Sequence, residues 1–328
     1  MLSELSELKG VSGAEQEIRR YLTEKLNAAS LKVNTDSMGN LLVRKGNKNS
    51  RLMLAAHMDE VGLMIMGFEK NGLLKFSPVG GLDHRILPGK RVIIGNDNLL
   101  GVIGVKPIHL QKKNEQEKPF EPESLFIDAG FKNSEEAEKY IVPGDYVSFS
   151  ASFAELETGI YRGKAFDDRV GCYILLKLLL EDNGLSFSAA FTVQEEIGTR
   201  GAAVAAFALN PSEALVLEAT AAADTPGTRT EESSTALGKG AVISIMDRTI
   251  IISRKLREEL TALAENNAIT YQYRQFTGAG TEGGVISLSR SGVETAVVAV
   301  PCRYIHSPHS IACEDDINAA FKLVKAWL

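Results

Sequence analysis

Cysteine is scarce in this chain. Cys172, Cys302 and Cys313 are too few and too irregularly spaced for a disulfide framework, and no CxxC pair suggests a thiolate metal site. Their odd number suits a reducing compartment, and each reads as a small core residue. Aromatic surface is also short: one Trp and 7% aromatics leave little of the platform that pairs with sugars in a polysaccharide cleft. Positive charge is not in excess, since 36 Lys+Arg stand against 42 Asp+Glu for a net charge of -6. No long-range field therefore draws the molecule to nucleic acid or anionic lipid, and neither is expected as a partner. Long hydrophobic runs are missing as well. The longest, Ala202 to Leu209, falls under half of the roughly 20 residues of a membrane span. The opening MLSELSELKG has no basic stretch followed by an apolar one, so a signal peptide is not expected and the cytoplasm is the expected location.

What remains is ordinary globular material, 328 residues with 44% apolar content, enough for one large domain or two ordinary ones. Ile18, Leu22 and Leu26 recur at four-residue intervals and predict an amphipathic helix over residues 14–29. The short apolar run RLMLAA, Arg51 to Ala56, reads as a strand buried on both faces, and it stops at His57. From about Gly67 to Phe153 the texture changes to short β-like pieces split by Gly, Pro and Asn, with a charged loop near Lys112 to Glu123. Beyond it, helical and buried-strand patterns alternate to the end of the chain. The alternation predicts an α/β fold. The expected organisation is a discontinuous domain of residues 1–66 and 154–328 carrying an inserted β-barrel-like domain, 67–153.

The unusual polar residues cluster at one kind of place, directly after a buried strand. His57 and Asp59 follow RLMLAA, Asp167 and Asp168 lead into a helix, Glu195 and Glu196 follow AAFTVQ, Glu218 follows ALVL, and His306 follows AVVAVPCRY. Strand carboxyl ends line the crevice of an open α/β sheet, so these residues are expected to converge. Imidazole and carboxylate without thiolate suit zinc, cobalt or manganese, and the set is large enough for two ions sharing one carboxylate. Strand alternation would put Asp59 on the side of His57, where it could fix the ring tautomer. Adjacent Glu195 and Glu196 cannot point the same way from an extended strand, so one is expected to ligate and the other to act as a base. Each residue also has a bland explanation, as a helix cap or a solvated face; the joint pattern carries the inference.

HMDEVG (57–62), AFDDRVG (165–171), QEEIGTRGA (194–202), EATAAADTPG (218–227) and RYIHSP (303–308) strongly resemble the tetrahedral (TET) aminopeptidases, metallopeptidase family 42. The resemblance runs nearly end to end, because VGGLD, LPGKRV, GVIG, IDAG and VPGDYV stand in family-like order in the inserted segment. It implies a mixed-sheet α/β/α metallopeptidase domain with a small β-barrel, and removal of N-terminal residues from peptides with a free N-terminus. It further implies two divalent metal ions, zinc or cobalt foremost and manganese as an option, held by His57, Asp167, Glu196, Glu218 and His306. Asp167 would bridge the ions and precede a cis peptide, and Glu195 would be the general base. A homo-oligomer of twelve subunits is implied too.

Three positions depart from the family pattern. Glu218 stands where Asp is usual, Glu282 in TGAGTEGG replaces the commoner Asp, and His309 has no expected role beyond the rim. Other readings are an endoglucanase, a label also given to proteins of this resemblance, and a metal-stabilised peptide-binding assembly with impaired chemistry. TGAGTEGG lacks the GK[ST] ending of a phosphate-binding P-loop. Arg229, Arg248 and Arg290 are candidate cations for an acidic substrate side chain.

Overall fold

The alternation of apolar positions along the central strands divides the core in two. Leu54, Ala56, Leu215, Leu217, Ala296 and Val298 belong to one buried cluster, while Met53, Ala55, Ala214, Val216 and Val297 belong to another. Successive side chains of a strand point to opposite faces, so the sheet must be covered on both sides. The computed structural model, which describes residues 1–47, 49–113, 119–182, 184–228, 235–274 and 278–328, shows that covering. Helices Gln16–Ala28, Phe166–Leu180, Arg254–Asn266 and Glu314–Trp327 pack residues such as Leu22, Ile174, Leu260 and Phe321 on the first face. Helices Arg200–Leu209 and Gly283–Ser287 close the second with Ala202, Ala206 and Ile286.

Among the described residues the sheet has 11 strands. Its centre is parallel: Phe187–Thr192, Leu52–His57, Glu213–Ala221 and Glu294–Arg303 lie side by side in that order. Antiparallel strands extend both margins. Val33–Thr35 and Leu41–Lys45 lie on one side, and Ser310–Cys313, Ile160–Gly163 and Ala154–Glu157 on the other. Ala241–Ser244 branches from Glu294–Arg303 and carries Tyr271–Arg274 in parallel. The α/β expectation is met, with a mixed sheet. Val33–Thr35, Ala154–Glu157 and Tyr271–Arg274 gave no clear sequence signal, because their short pieces mix polar with apolar residues and are not fully buried.

Among the described residues, six strands between residues 62 and 149 close a separate barrel with its own core of Leu63, Ile65, Phe76, Val92, Ile103 and Val147. Its first strand, Gly62–Phe68, starts ahead of the Gly67 expected from composition. The chain passes from the sheet into the barrel within Met58–Val61, so HMDEVG belongs to both. Among the described residues no helix is long and apolar enough to cross a membrane. Cys172, Cys302 and Cys313 are buried and free.

Candidate metal centre and active site

His57 is the last residue of its strand, and parallel pairing sets Thr192 directly opposite it. On the other side Val216 pairs with Ala55, so continuing the strand by two residues brings Glu218 level with His57. Glu218 therefore lies within the strand Glu213–Ala221 rather than after it. Its Oε2 is 3.6 Å from His57 Nε2. Asp167 comes from the start of the helix Phe166–Leu180, where Asp167 and Asp168 leave helical geometry and the peptide bond between them is cis. The break sends the two carboxylates different ways. Asp168 is fully buried and accepts from the backbone N–H groups of His57, at 3.2 Å, and Gly171, at 3.0 Å. Asp167 turns into the cleft.

There Asp167 Oδ1 is 3.3 Å from His57 Nε2 and Oδ2 is 3.1 Å from His306 Nε2. One carboxylate thus offers one oxygen to each imidazole. Both rings use their second nitrogen alike: His57 Nδ1 lies 3.1 Å from the Asp59 carbonyl and His306 Nδ1 2.8 Å from the Gly81 carbonyl. A carbonyl can only accept, so each Nδ1 must donate, which leaves the Nε2 lone pair of a neutral ring for the cleft. Glu196 Oε1 lies 3.3 Å from His306 Nε2.

Asp59 does a different job from the one its spacing suggests. Its carboxylate is 3.5 Å from His57 Nδ1, farther than its own carbonyl. The oxygens instead accept from Ser12 Oγ at 2.6 Å and from the backbone N–H groups of Glu195, at 2.9 Å, and Glu196, at 3.1 Å. Asp59 lies beyond the strand, so strand alternation does not govern it. What it positions is the Glu195–Glu196 turn. That turn opens at Gln194, a non-glycine residue with φ 56°, and its departure from extended geometry lets both glutamates face the cleft. His306 and Ala165 also sit in this left-handed region, at φ 56° and 54°. Strained backbone of this kind persists where the surroundings over-determine it.

Behind the site, buried Lys164 donates to both Glu60 oxygens at 2.6 and 2.7 Å and to the Leu8 carbonyl at 2.7 Å. This pair clamps the Met58–Val61 segment to the chain leading into Asp167. Neither residue stood out in the sequence, since a buried ion pair has no spacing signature.

Glu282 is fully buried and accepts from Thr192 Oγ1 at 2.7 and 2.8 Å, directly behind the His57 strand end. Burial and repulsion from Glu218 push its carboxyl up to about 8. Burial, with Asp167 and Glu196 nearby, takes Glu218 up to about 7, against the pull of His57. Glu195 is driven well above its ordinary value by burial and then by Glu218 and Glu196. The imidazoles shift the other way. Burial opposes their charge, yet contacts with Asp167 and Glu196 hold His306 up at about 11, and contacts with Asp167, Asp59 and Glu218 raise His57 well above normal. Protons here occupy places suited to cations.

The donor set fits divalent metal. Donor atoms of His57, Asp167 and Glu196 lie within 4.8 Å of one another, as do those of His57, Asp168 and Glu218. Glu196 Oε1 and Glu218 Oε1 are buried without a hydrogen bond. An acceptor left unsatisfied in the interior is costly unless something binds it. Asp168, already engaged by two backbone N–H groups, is the least free of these acids.

The acids and imidazoles form the floor of a cavity of about 350 Å³. Its walls are Ala219 to Ala221, Ala223, Ala279 to Thr281 and Ile305, with Arg274 also lining it; among the described residues no Trp, Tyr or Phe does. Of the arginines singled out in the sequence, Arg248 is exposed and Arg290 is exposed with its guanidinium bonded to the Phe207 carbonyl. Arg229 lies outside the described residues. His309 is exposed. Arg274 was missed because a lone Arg in YQYRQF carries no motif.

The sequence profile of the M42 glutamyl aminopeptidases matches residues 39–323. The structure of a TET aminopeptidase from the marine sediment archaeon Thaumarchaeota archaeon SCGC AB-539-E09 superposes with a TM-score of 0.96 at 34% identity, covering 99% of this chain and 94% of that one. A lysyl aminopeptidase of Pyrococcus furiosus is 31% identical over 100% of this chain and 96% of its own length. A Thermotoga maritima structure described as an endoglucanase is 37% identical with a TM-score of 0.82, covering 99% and 96% of the two chains. Fold, cleft and similarity together define a hydrolase of the aminopeptidase class. The chain belongs to the M42 peptidase family.

Proposed function

We propose that this protein removes N-terminal residues from peptides with a pair of divalent ions, zinc or cobalt foremost, and Glu195 as general base. The observation that carries the reading is Asp167, whose two oxygens face two separate imidazoles. In this reading Asp167 would serve both ions, His57 and Glu218 would help hold one, and His306 and Glu196 the other. Bound there, divalent cations would bring a water toward ionisation near neutral pH and polarise the scissile carbonyl.

The chain's own groups do the rest. Glu195 lines the cavity, and the Asp59 carboxylate holds its backbone N–H. It takes the proton of the attacking water and returns it to the leaving amine, so that the peptide C–N bond is replaced by a C–O bond. The acids of the floor also favour the positive α-amino group of a free N-terminus.

The similarity to an endoglucanase raises the alternative of sugar cleavage. Among the described residues no aromatic side chain lines the cavity wall, which favours peptides. Chelation separates the two, because a glycosidase working with two carboxylates alone keeps its activity without metal. The test is a panel of aminoacyl-anilides assayed after stripping and after restoring zinc, cobalt or manganese, with Glu195→Gln in parallel. Activity should vanish and return with metal, and the variant should keep metal and fold while losing roughly 10²- to 10⁴-fold in turnover. Undiminished turnover in Glu195→Gln would remove the base role.

The similarity to a TET aminopeptidase also supports assembly into a homo-oligomer, the dodecamer being the expected form. Exposed Met66, Leu100 and Val102 make the barrel the natural contact surface. Light scattering that finds a concentration-independent monomer would exclude it.

A further inference from the structure

Resting on the reading of Glu195 as general base, we infer that Glu15 is a positioning residue for the reaction. From the loop before the helix Gln16–Ala28 it fixes the turn that carries Glu195, and so sets where that base stands, although Glu15 itself does not line the cavity.

The turn hangs on side chains. Four consecutive backbone N–H groups, those of residues 193 to 196, each donate to a buried side chain from elsewhere in the chain. Val193 donates to Asn40 Oδ1 at 3.0 Å, Gln194 to Glu15 Oε1 at 3.2 Å, and Glu195 and Glu196 to the two Asp59 oxygens. The strand Phe187–Thr192 has just ended, so no ladder satisfies these donors, and interior donors need acceptors. Gln194 is the one of the four that stands in the left-handed region, at φ 56°. A non-glycine backbone stays there where its contacts over-determine it. Its acceptor, Glu15, is 3% exposed.

Helix capping does not explain Glu15. It is the N-cap residue of Gln16–Ala28, where a side-chain oxygen ordinarily accepts from the helix's own N–H groups, yet it makes no such bond. The side chain reaches back instead, and the same Oε1 accepts from Gly13 N–H at 2.7 Å. One oxygen thus ties the loop to the turn. The loop itself is well fixed: Val11 pairs in parallel with Glu60, Ser12 Oγ donates to Asp59, and a Cβ on Gly13, at φ +91°, would come within 2.5 Å of Tyr146 Oη on the barrel. Loop, Met58–Val61 segment and barrel form one frame, and Glu15 is where that frame holds Gln194.

The test compares Glu15→Ala, Glu15→Gln and Glu15→Asp in the full chain at saturating metal. Losing the acceptor should lower kcat about 10- to 100-fold, the scale of a misplaced reacting group, with KM changed by less than about 3-fold. Glu15→Gln keeps an acceptor oxygen at the same reach and should recover kcat to within about 3-fold of wild type. Glu15→Asp is one methylene short and should fall with Glu15→Ala. In a Glu195→Gln background, Glu15→Ala should cost less than about 2-fold more, because the group it positions is gone. A residue that only stabilises the fold would lower the thermal midpoint and leave kcat unchanged, and that result overturns the inference. So does a Glu15→Gln no better than Glu15→Ala, or a full loss that persists on top of Glu195→Gln.

Should Glu195→Gln keep full turnover, the base reading fails by itself, and amide hydrogen exchange in metal-free protein then judges Glu15 alone. Exchange about 5- to 10-fold faster in Glu15→Ala over residues 193–197, absent from the strand Phe187–Thr192 and reversed in Glu15→Gln, supports the positioning. Unchanged exchange, or an increase shared with that strand, overturns it. If Glu15→Ala does not fold, Glu15→Asp carries the same comparison.

Discussion

His57 and His306 reach the same carboxylate from opposite kinds of support. The first closes a central parallel strand, 1% exposed, with strands on both sides and its backbone N–H bonded to Asp168. The second stands in the turn after the strand Glu294–Arg303, with its side chain 33% exposed, and its ring rests on the carbonyl of Gly81 in the loop leaving a barrel strand. Glu218 follows the first pattern, within a strand, and Glu196 the second, on a turn. One half of the centre is thus built into the sheet, while the other is assembled where sheet and barrel meet. The inserted barrel supplies a wall that half the site leans on. Disturbing the barrel should therefore harm the halves unequally.

The sharpest way to break this contrast is to remove each imidazole in turn. Without metal, His57→Ala leaves Glu218 buried with no counter-charge and Asp167 with His306 alone, a loss of about 3–5 kcal/mol by analogy with broken interior ion pairs. His306→Ala also leaves largely buried acids, Glu196 and Asp167, without that imidazole, but its ring is 33% exposed and solvent can enter, so the loss should be smaller than for His57→Ala. Both variants should lose nearly all turnover, but only His57→Ala should show a large drop in thermal midpoint in the presence of chelator. Equal drops would mean that burial does not distinguish the halves.

A smaller disturbance comes from the barrel itself. Gly80 adopts φ +84°, and a Cβ there would meet Val61 Cγ1 at 2.8 Å and Glu196 Cβ at 3.3 Å. Gly80→Ala therefore strains a backbone that favours glycine and presses on the glutamate of the barrel-side half. Displacements of this size change catalytic geometry enough to lower turnover roughly 10- to 100-fold. Metal analysis should find the barrel-side position depleted and the His57 side retained. Normal turnover in a folded Gly80→Ala protein would show that the barrel merely adjoins the site.

The same division separates what could be read from the sequence. Residues at or next to ends of buried strands were legible, because RLMLAA and AAFTVQ announce both the strand and the place where it stops. His57, Asp167, Glu195, Glu196, Glu218 and His306 are brought together by that logic. Contacts made by backbone were not legible: the carbonyls of Asp59 and Gly81 orient the two rings, and a carbonyl has no identity in a sequence. Nor were the left-handed turns at Gln194 and His306, since neither residue is glycine and composition does not mark them. Asp59 shows how the period misleads, because alternation was applied two residues past the end of its strand.

The mildest contrast concerns Glu282, which lies behind the buried half and does not line the cavity. Its carboxyl titrates at about 8 in the folded chain against an ordinary 4.5, chiefly through burial and then through Glu218. The folded state therefore holds this proton more tightly than the unfolded chain. The stability it confers is whole below about pH 4.5 and drains as the pH rises toward 8, at up to about 1.4 kcal/mol per pH unit. Glutamine has nearly the shape of the protonated acid and can still accept from Thr192, but it cannot ionise. In metal-free protein, Glu282→Gln should melt with the wild type near pH 4.5 and progressively above it toward pH 8, with little change in turnover at neutral pH once metal is restored. Comparing the two proteins cancels the titration of every group they share unless it interacts with residue 282. Parallel melting curves across that range would show that the buried half tolerates the Glu282 charge, and the asymmetry between the halves would then rest on the imidazoles alone.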